Sequence, residues 1–287
     1  MSGGTLVRLD GTVADRGQPL LRADDLGALR GDGVFEALIV VNGRPWHLDE
    51  HLARLERSAA TLGLRAPDAG VWRRCLDTAI AQHGAAGEAY ARLVLTRGPE
   101  DGSGPETGYL LLDEVPGSTL QARAEGVRVI TLARGLVAAP PERAPWLLAG
   151  AKTLSYAVNM AAQRWARQHD ADEVVFLAAD GTVLEAPTAA VVVARGRTLL
   201  SPGPELGILP SIALAGLFAA AGRAGWECRH AGLTTEDLRT ADGLWLVSSV
   251  RLAARVRSLD GLVRAPGPYD EEIAALARVT DADAVPC

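Results

Sequence analysis

The chain has 287 residues, 48% of them hydrophobic, and a formal net charge of -6 at pH 7. This composition is typical of a globular protein, and a negative charge without any basic run argues against a nucleic-acid partner. Cys75, Cys228 and Cys287 are far apart and odd in number, which argues against a disulfide framework or a metal cluster. The N-terminus lacks the apolar core of a signal peptide and no apolar run could span a membrane, so we expect a soluble cytoplasmic protein without a metal.

The first half of the chain predicts alternating strands and helices. Residues 5–9 alternate in polarity and precede the hairpin dipeptide Asp10-Gly11, and residues 30–43 predict a glycine-rich bend that enters a second strand. A helix is predicted over residues 47–62, with Asp49 as its possible cap. The further elements predicted in this half are a helix over residues 71–83 and strands over residues 90–96 and 109–113.

A polar stripe follows the first predicted helix beside its apolar face. Both sets recur at helical spacing: His47, His51, Arg54 and Ser58 on the polar side, and Leu48, Leu52, Leu55, Ala59 and Leu62 on the apolar side. A solvated face is the ordinary interpretation of such a stripe. An anion-binding site is the alternative.

Two segments rich in turn-forming residues divide the chain. Residues 97–108 predict a surface loop or lid. Residues 116–124, which begin with Pro116, Gly117 and Ser118, predict a linker. We therefore expect a small N-terminal α/β domain over residues 1–115 and a larger C-terminal domain over residues 125–287.

The second half has short β-rich runs separated by glycine and aspartate turns, which favours a mixed sheet or pseudo-barrel packed with helices. These runs are residues 173–178, 182–185, 189–194, 198–201 and 244–249. Gly207 precedes a helix predicted to end near Gly222, so the N–H groups of Ile208, Leu209 and Ser211 are candidate donors to a phosphate. Ser248-Ser249 at a strand end is either an ordinary loop start or a second phosphate clamp.

Lys152 is the only lysine in the chain. Leu154, Ala157, Val158, Ala161 and Trp165 follow it at helical spacing, which predicts that Lys152 lies at or just before the first turn of an amphipathic helix. The positive end of the helix dipole, together with burial, would favour a neutral amine that can attack a carbonyl. An ordinary surface lysine is the alternative, and a high-GC codon bias would also explain why lysine is scarce.

In this order and at these distances, several motifs resemble the fold type IV family of pyridoxal-phosphate enzymes over nearly the whole chain. That family includes branched-chain aminotransferase, D-amino-acid aminotransferase and 4-amino-4-deoxychorismate lyase, and the likeness is strongest to the lyase branch. The motifs are Gly31-Asp-Gly-Val-Phe-Glu36, His51 to Leu55, Lys152-Thr-Leu-Ser-Tyr156 with Asn159, Asp172-Glu173, Glu185-Ala-Pro-Thr188, Gly207-Ile-Leu-Pro210 and Ser248-Ser249.

The resemblance implies a role for each matching residue around a pyridoxal 5'-phosphate cofactor held between the two domains. Lys152 would form the Schiff base and move the proton, Glu185 would face the pyridine nitrogen, and Arg54 would grip the phosphate. The remaining cofactor residues would be Ile208, Leu209, Ser249 and Thr188. The substrate pocket would include Phe35, Ala37, Arg92, Arg97 and Tyr156.

Departures from the family pattern bear on the reaction. Ala37 stands where lyase-like sequences tend to carry threonine, and alanines occupy positions 186, 189 and 190, where the family favours glycine and hydroxyl residues. Ser211-Ile212 replaces a common glycine and threonine. Residues 97–108 lack the Arg-x-His pair that binds the substrate carboxylate in D-amino-acid transaminases.

Three functions remain open on the sequence. The first is a lyase that eliminates pyruvate from aminodeoxychorismate to leave 4-aminobenzoate, in folate biosynthesis or in a specialised pathway. The second is an aminotransferase, with Arg92 or Arg97 as the carboxylate anchor, and the third is a non-catalytic homologue. The resemblance also implies a homodimer whose active sites are completed by loops of the neighbouring subunit.

Overall fold

The computed structural model describes residues 4–135 and 144–280, which fall into two compact units. Of the described residues, the first unit contains 4–116 and 151–156, and the second contains 117–135, 144–150 and 157–280. Cys287 lies outside the described residues, while Cys75 and Cys228 are free thiols. None of the described helices is long and apolar enough to cross a membrane.

The first unit is an antiparallel sheet with helices. Its elements are β1 (Thr5–Arg8), β2 (Val13–Ala14), α1 (Leu26–Arg30), β3 (Gly33–Val41), β4 (Arg44–Pro45), α2 (Leu48–Thr61), α3 (Ala69–His83), β5 (Glu88–Thr96) and β6 (Thr107–Glu114). The strand order is β2-β1-β6-β5-β3-β4. The central ladder between β3 and β5 runs without a break from the pair Gly33 and Thr96 to the pair Val41 and Glu88.

The core of the first unit lies between this sheet and helices α2 and α3. Side chains alternate along a strand, so Val34 and Leu38 of β3 face the helices together. Leu55 of α2 and Trp72 of α3 are fully buried against them. The predicted apolar face of α2 is therefore confirmed.

The second unit contains a mixed sheet of eight strands, which confirms the expected α/β class. Its elements are α4 (Gly117–Glu125), β7 (Val127–Ala133), α5 (Ala157–Gln168), β8 (Glu173–Leu177), β9 (Ala190–Arg195), β10 (Thr198–Ser201), α6 (Ile212–Arg223), β11 (Glu227–His230), α7 (Thr235–Thr240), β12 (Gly243–Ser248), β13 (Leu252–Leu259), β14 (Leu262–Val263) and α8 (Asp270–Leu276). The order is β11-β10-β9-β12-β13-β7-β8, with β14 paired to β13.

Strands β9 and β12 are buried on both faces. Val191 and Val193 belong to one core cluster, whereas Val192 and Ala194 belong to another that includes residues of α6 and α8. A strand covered on both sides needs apolar residues at every position. The run 190–194 therefore shows no alternation of polar and apolar residues.

Some predicted elements differ from the structure. The linker expected over residues 116–124 is mostly helix α4, and residues 182–185 form only an isolated bridge, between Leu177 and Val183. Asp49 is not the cap of α2, because the N-cap is His47 in the left-handed conformation. Helix α5 begins at Ala157, five positions after Lys152, so Lys152 lies outside its first turn.

The packing of α2 makes a specific prediction. Replacing the buried Leu55 by alanine should lower the free energy of unfolding by roughly 2–5 kcal/mol, because the lost side chain leaves a cavity in the core. Glu56→Ala, at an exposed position of the same helix, is the matched control and should change little. Urea denaturation of the three proteins tests this, and equal effects of the two substitutions would contradict it.

Candidate active site

The polar stripe of α2 is buried, so the solvated interpretation is wrong for three of its four residues, His51, Arg54 and Ser58. Glu36 lies on the face of β3 that packs against α2. Its carboxylate accepts hydrogen bonds from Arg54 Nε at 2.6 Å and Arg54 Nη2 at 2.7 Å. His51 Nδ1 lies 2.7 Å from Glu36 Oε2. A buried carboxylate is thus held between a guanidinium and an imidazole.

The charges of this cluster are strongly coupled. Burial raises the pKa of the Glu36 carboxyl, but hydrogen bonds from Arg54 and His51 outweigh burial and lower that pKa from 4.5 to about 2. Burial lowers the pKa of the His51 imidazole, and the positive charges of Arg54 and Lys152 lower it further, against the effect of Glu36. Because the carboxylate carries no proton near neutral pH, His51 donates from Nδ1. Its Nε2 atom is buried and has no partner within the described residues.

The backbone around Lys152 is held by β3. The N–H of Phe35 donates to the carbonyl of Lys152 at 3.0 Å, and the N–H of Leu154 donates to the carbonyl of Gly33 at 2.8 Å. The N–H of Lys152 donates to Ser58 Oγ at 3.1 Å. Strand pairing and Ser58, rather than a helix N-terminus, therefore fix the position of this lysine.

The side chain of Lys152 lies among aromatic rings. Its Nζ is 4.4 Å from the centroid of the Phe35 ring and 5.9 Å from that of Tyr156. The two rings meet edge to face, with centroids 5.2 Å apart. The structure therefore places two of the predicted site residues, Phe35 and Tyr156, beside the amine of a third, the half-buried Lys152.

Two glycines make this approach possible. A Cβ added at Gly33 would lie 2.6 Å from the carbonyl oxygen of Leu95 and 2.7 Å from Leu154 Cδ1, closer than real contacts allow. Gly31 has a φ of 70°, and an added Cβ there would lie 3.2 Å from Ser155 Cα. The glycine-rich bend is needed because the lysine segment runs directly against it.

The predicted carboxylate anchors already have acidic partners. Arg97 binds Asp32, with a distance of 2.6 Å from Nε, and also donates to the carbonyl of Leu62. Arg92 donates to Asp113 at 2.8 Å, and its Nε is buried without a partner within the described residues. Arg92 pairs in register with the half-buried Ala37 of β3. Of the two arginines, Arg92 is the one beside a predicted pocket residue.

In the second unit, Glu185 is linked to the segment that precedes α6. Its Oε2 accepts a hydrogen bond from the N–H of Leu209 at 3.2 Å. Ser211 caps α6 by accepting from the N–H of Leu214, as its place before the helix suggests. The Leu209 N–H, expected to face a phosphate, thus contacts a carboxylate in this structure. Ile208 is buried, and Thr188 is exposed.

Asn159 holds the backbone two residues beyond Glu185. Its Nδ2 donates to the carbonyl of Pro187 at 2.8 Å, and its Oδ1 accepts from Arg134 Nη1 at 3.0 Å. Arg134 also lies over the Phe176 ring, 4.5 Å from its centroid. The guanidinium selects the amide orientation in which nitrogen faces Pro187. In the sequence, Asn159 was only one of the family motifs. Arg134 was not predicted, because it lies 25 positions before Asn159 and belongs to no motif.

Ser249, the last predicted cofactor residue, lies in the turn of residues 249–251 between β12 and β13. Within the described residues, the backbone N–H groups of Ser249 and Val250 donate to no other protein group. Two such donors in one turn suit an anion. No group of three metal-binding side chains occurs among the described residues.

The residues present fit the cofactor that the resemblance implies. In the first unit, an amine among aromatic rings suits an aldehyde, and a buried guanidinium suits a phosphate. In the second unit, the two turn amides suit an anion. Glu36 binds the Nε and Nη2 atoms of Arg54, so this guanidinium is already engaged with a carboxylate on one edge.

Comparisons with known proteins show the family of the chain. Residues 33–259 match the family model for amino-transferase class IV. The chain is 44% identical over 280 residues to a bifunctional aminodeoxychorismate lyase / D-amino acid transaminase of Mycobacterium tuberculosis, covering 94% of this chain and 96% of that protein.

Solved structures show the same similarity. A hypothetical aminotransferase from M. tuberculosis in its PLP-bound form gives a TM-score of 0.91 at 44% identity, covering 96% of this chain and 97% of that one. A fold IV transaminase from Curtobacterium pusillum gives 0.89 at 40% identity, covering 96% of this chain and 98% of that one.

The lowered pKa of Glu36 predicts that the stability of the protein depends on pH. The folded pKa is below the unfolded value, so the stabilisation is complete above about pH 4.5 and is lost as the pH falls toward 2. The change in pKa corresponds to about 3 kcal/mol. Glu36→Gln should therefore be less stable than wild type at pH 7, with a difference that shrinks below pH 4.5. Urea denaturation at several pH values measures this, and a pH-independent difference would refute it.

Proposed function

Since this chain belongs to the amino-transferase class IV family, we propose that it is an aminodeoxychorismate lyase that releases pyruvate and leaves 4-aminobenzoate. Its cofactor is pyridoxal 5'-phosphate, as in the PLP-bound relative. The observation that carries this proposal is the similarity along nearly the full chain to a bifunctional lyase and transaminase, which supports either reaction. The lyase is proposed first because the sequence motifs resemble the lyase branch most strongly.

Each unit would contribute its own residues to cofactor binding. Lys152 would bond covalently to the aldehyde carbon, and Arg54 would contact the phosphate. In the second unit, Glu185 would release the N–H of Leu209 and face the pyridine nitrogen. The N–H groups of Leu209 and Ser249 would then be donors to the phosphate. When bound, the cofactor supplies an electron sink that stabilises negative charge on the substrate.

Lys152 would carry the proton transfers. Once the substrate amine displaces it, the Lys152 amine is a general base that can take the proton from the substrate ring carbon. The bond between the ring and the enolpyruvyl oxygen then breaks, its electron pair leaves with that oxygen, and the ring becomes aromatic. The enolpyruvyl group takes up a proton to become pyruvate. Because Ala37 has no hydroxyl, Lys152 is the group proposed to return that proton.

D-amino-acid transamination is the second candidate, because the same relative carries both activities. Here Lys152 would move a proton from the substrate α-carbon to the cofactor, and Arg92 is the proposed carboxylate anchor. Its buried Nε without a described partner favours it over Arg97, which binds Asp32 and the carbonyl of Leu62. The non-catalytic alternative receives no support from these relatives.

Replacing Lys152 tests the cofactor chemistry. Purified wild type with added pyridoxal phosphate should show a visible absorption band that borohydride reduces, and Lys152→Ala should lack it. Lys152→Arg is the matched control that keeps the positive charge but cannot form the bond, and it should lack the band too. A reducible band in either variant would contradict the assignment.

Product analysis tests the reaction. With aminodeoxychorismate, wild type should release pyruvate and 4-aminobenzoate in equal amounts, and Lys152→Ala should lower the rate by at least about 1000-fold. A cofactor band without pyruvate would exclude the lyase, and transfer of the amino group from D-alanine to α-ketoglutarate would then establish the second candidate.

We propose in addition that the protein is a homodimer. The apolar stripe predicted for α5 exists, but it faces outward: Val158 is 57% exposed and Trp165 is 51% exposed, while Ala162 and Ala166 form the buried face. A second copy of the chain is the proposed cover for this surface.

A cytoplasmic location is also proposed, and the free thiols of Cys75 and Cys228 support it.

The dimer makes its own prediction. Val158→Asp should shift the protein toward monomer, because a charge would be buried in the interface. The fold should tolerate it, since an acidic residue is favourable in the first turn of α5. Val263→Asp, at an 87% exposed position of β14, is the control and should stay dimeric. Sedimentation velocity measures both, and an unchanged Val158→Asp dimer would contradict this interface.

A further inference from the structure

The turn after β12 is held by groups from outside the hairpin. Arg123 of α4 donates from Nη2 to the carbonyl of Val250 at 2.6 Å and from Nε to the carbonyl of Arg251 at 3.2 Å. One guanidinium thus contacts two successive carbonyls. The helix that carries Arg123 packs against β13, which begins directly after this turn.

The peptide between Val250 and Arg251 is fixed at both ends. Arg123 holds its carbonyl, and its N–H donates to Ser248 Oγ at 3.3 Å. Leu252, the next residue, has a φ of 60°, which a leucine rarely adopts. These contacts restrict the orientation of the neighbouring peptide groups, which carry the N–H groups of Ser249 and Val250.

The side chain of Arg251 gives a second anchor. Its Nη2 forms an ion pair with Glu173, which is 4% exposed at the start of β8. The turn is therefore tied to α4 through its carbonyls and to β8 through a side chain. Asp172-Glu173 was noted in the sequence only as a family motif, and the pair with Arg251 gives this glutamate a structural contact.

We propose that Arg123 is a positioning residue for phosphate binding, holding the turn so that the N–H groups of Ser249 and Val250 converge on one anion. This inference rests on the proposed function, because the phosphate is that of pyridoxal phosphate. Arg123 acts through the turn carbonyls. Removing its guanidinium lets the peptides rotate, so the donors lose their alignment.

The phosphate dependence of binding separates this role from a general loss of stability. Arg123→Ala should weaken pyridoxal phosphate binding about 10-fold, the size expected for one or two lost hydrogen bonds to a charged group. Binding of pyridoxal, which lacks the phosphate, should be unchanged. Titration of the visible band measures both affinities.

Arg264 provides a matched control in the same unit. It also donates to backbone carbonyls, those of Leu238, Arg239 and Ala241, at a distance from the turn in the sequence. Arg264→Ala removes the same kind of contact and should leave the ratio of the two affinities as in wild type. An equal loss of both ligands in Arg123→Ala, or the same change of ratio in Arg264→Ala, would overturn the proposal.

Hydrogen exchange of the cofactor-free protein tests the positioning without any ligand. The amide of Arg251, which donates to Ser248 Oγ, should exchange faster in Arg123→Ala than in wild type or Arg264→Ala. If Arg123→Ala does not fold, Arg123→Gln retains one donor and should show a smaller change of the same kind. Unchanged exchange and affinity in the folded variant would refute the role. Failure of wild type to bind pyridoxal phosphate would instead refute the proposed function.

Discussion

The buried pair between Glu36 and Arg54 is the interaction on which the first unit depends. A carboxylate with no exposed surface would be very costly alone, and the guanidinium and His51 supply the compensating hydrogen bonds. The pair joins β3 to α2 at the position where β3 also pairs with the Lys152 segment. Unpaired, these buried charges would destabilise the core. Paired, they fix β3, the strand against which the Lys152 segment lies. This explains why a polar stripe is tolerated beside the apolar face of α2.

Much of the architecture could be predicted from the sequence because its signals are local. Glycine and aspartate turns, the periodicity of α2 and the run preceding α6 each placed an element close to where it lies. The motif order identified the family, which the comparisons confirm. The same motif order predicted Phe35 and Tyr156 as pocket residues, and the structure shows that both rings lie near the amine of Lys152.

The remaining features depend on contacts that sequence spacing does not encode. Residues after Pro116 contain turn formers and so predicted a linker, yet packing against β13 makes them helix α4. The spacing of the apolar residues predicted an amphipathic helix at α5, but it did not show that alanines form the buried face while Val158 and Trp165 are exposed. Spacing alone favoured a solvated stripe on α2 over an anion site, because its buried partner Glu36 comes from strand β3. In each case a distant residue decides the outcome.

The pairing register of β3 also decides which of its side chains face Lys152 and which face Arg54. Successive residues of a strand face opposite sides, so a slip of one position would turn Phe35 toward α2 and move Glu36 away from Arg54. The amine would lose its aromatic neighbour, and two charges would be left unpaired in the core. A chain with β3 out of register would therefore be destabilised and would lack the aromatic neighbour of Lys152. Chains that stay folded are in consequence those in which Phe35 faces the amine, so one pairing register sets both the stability of the first unit and the surroundings of this lysine.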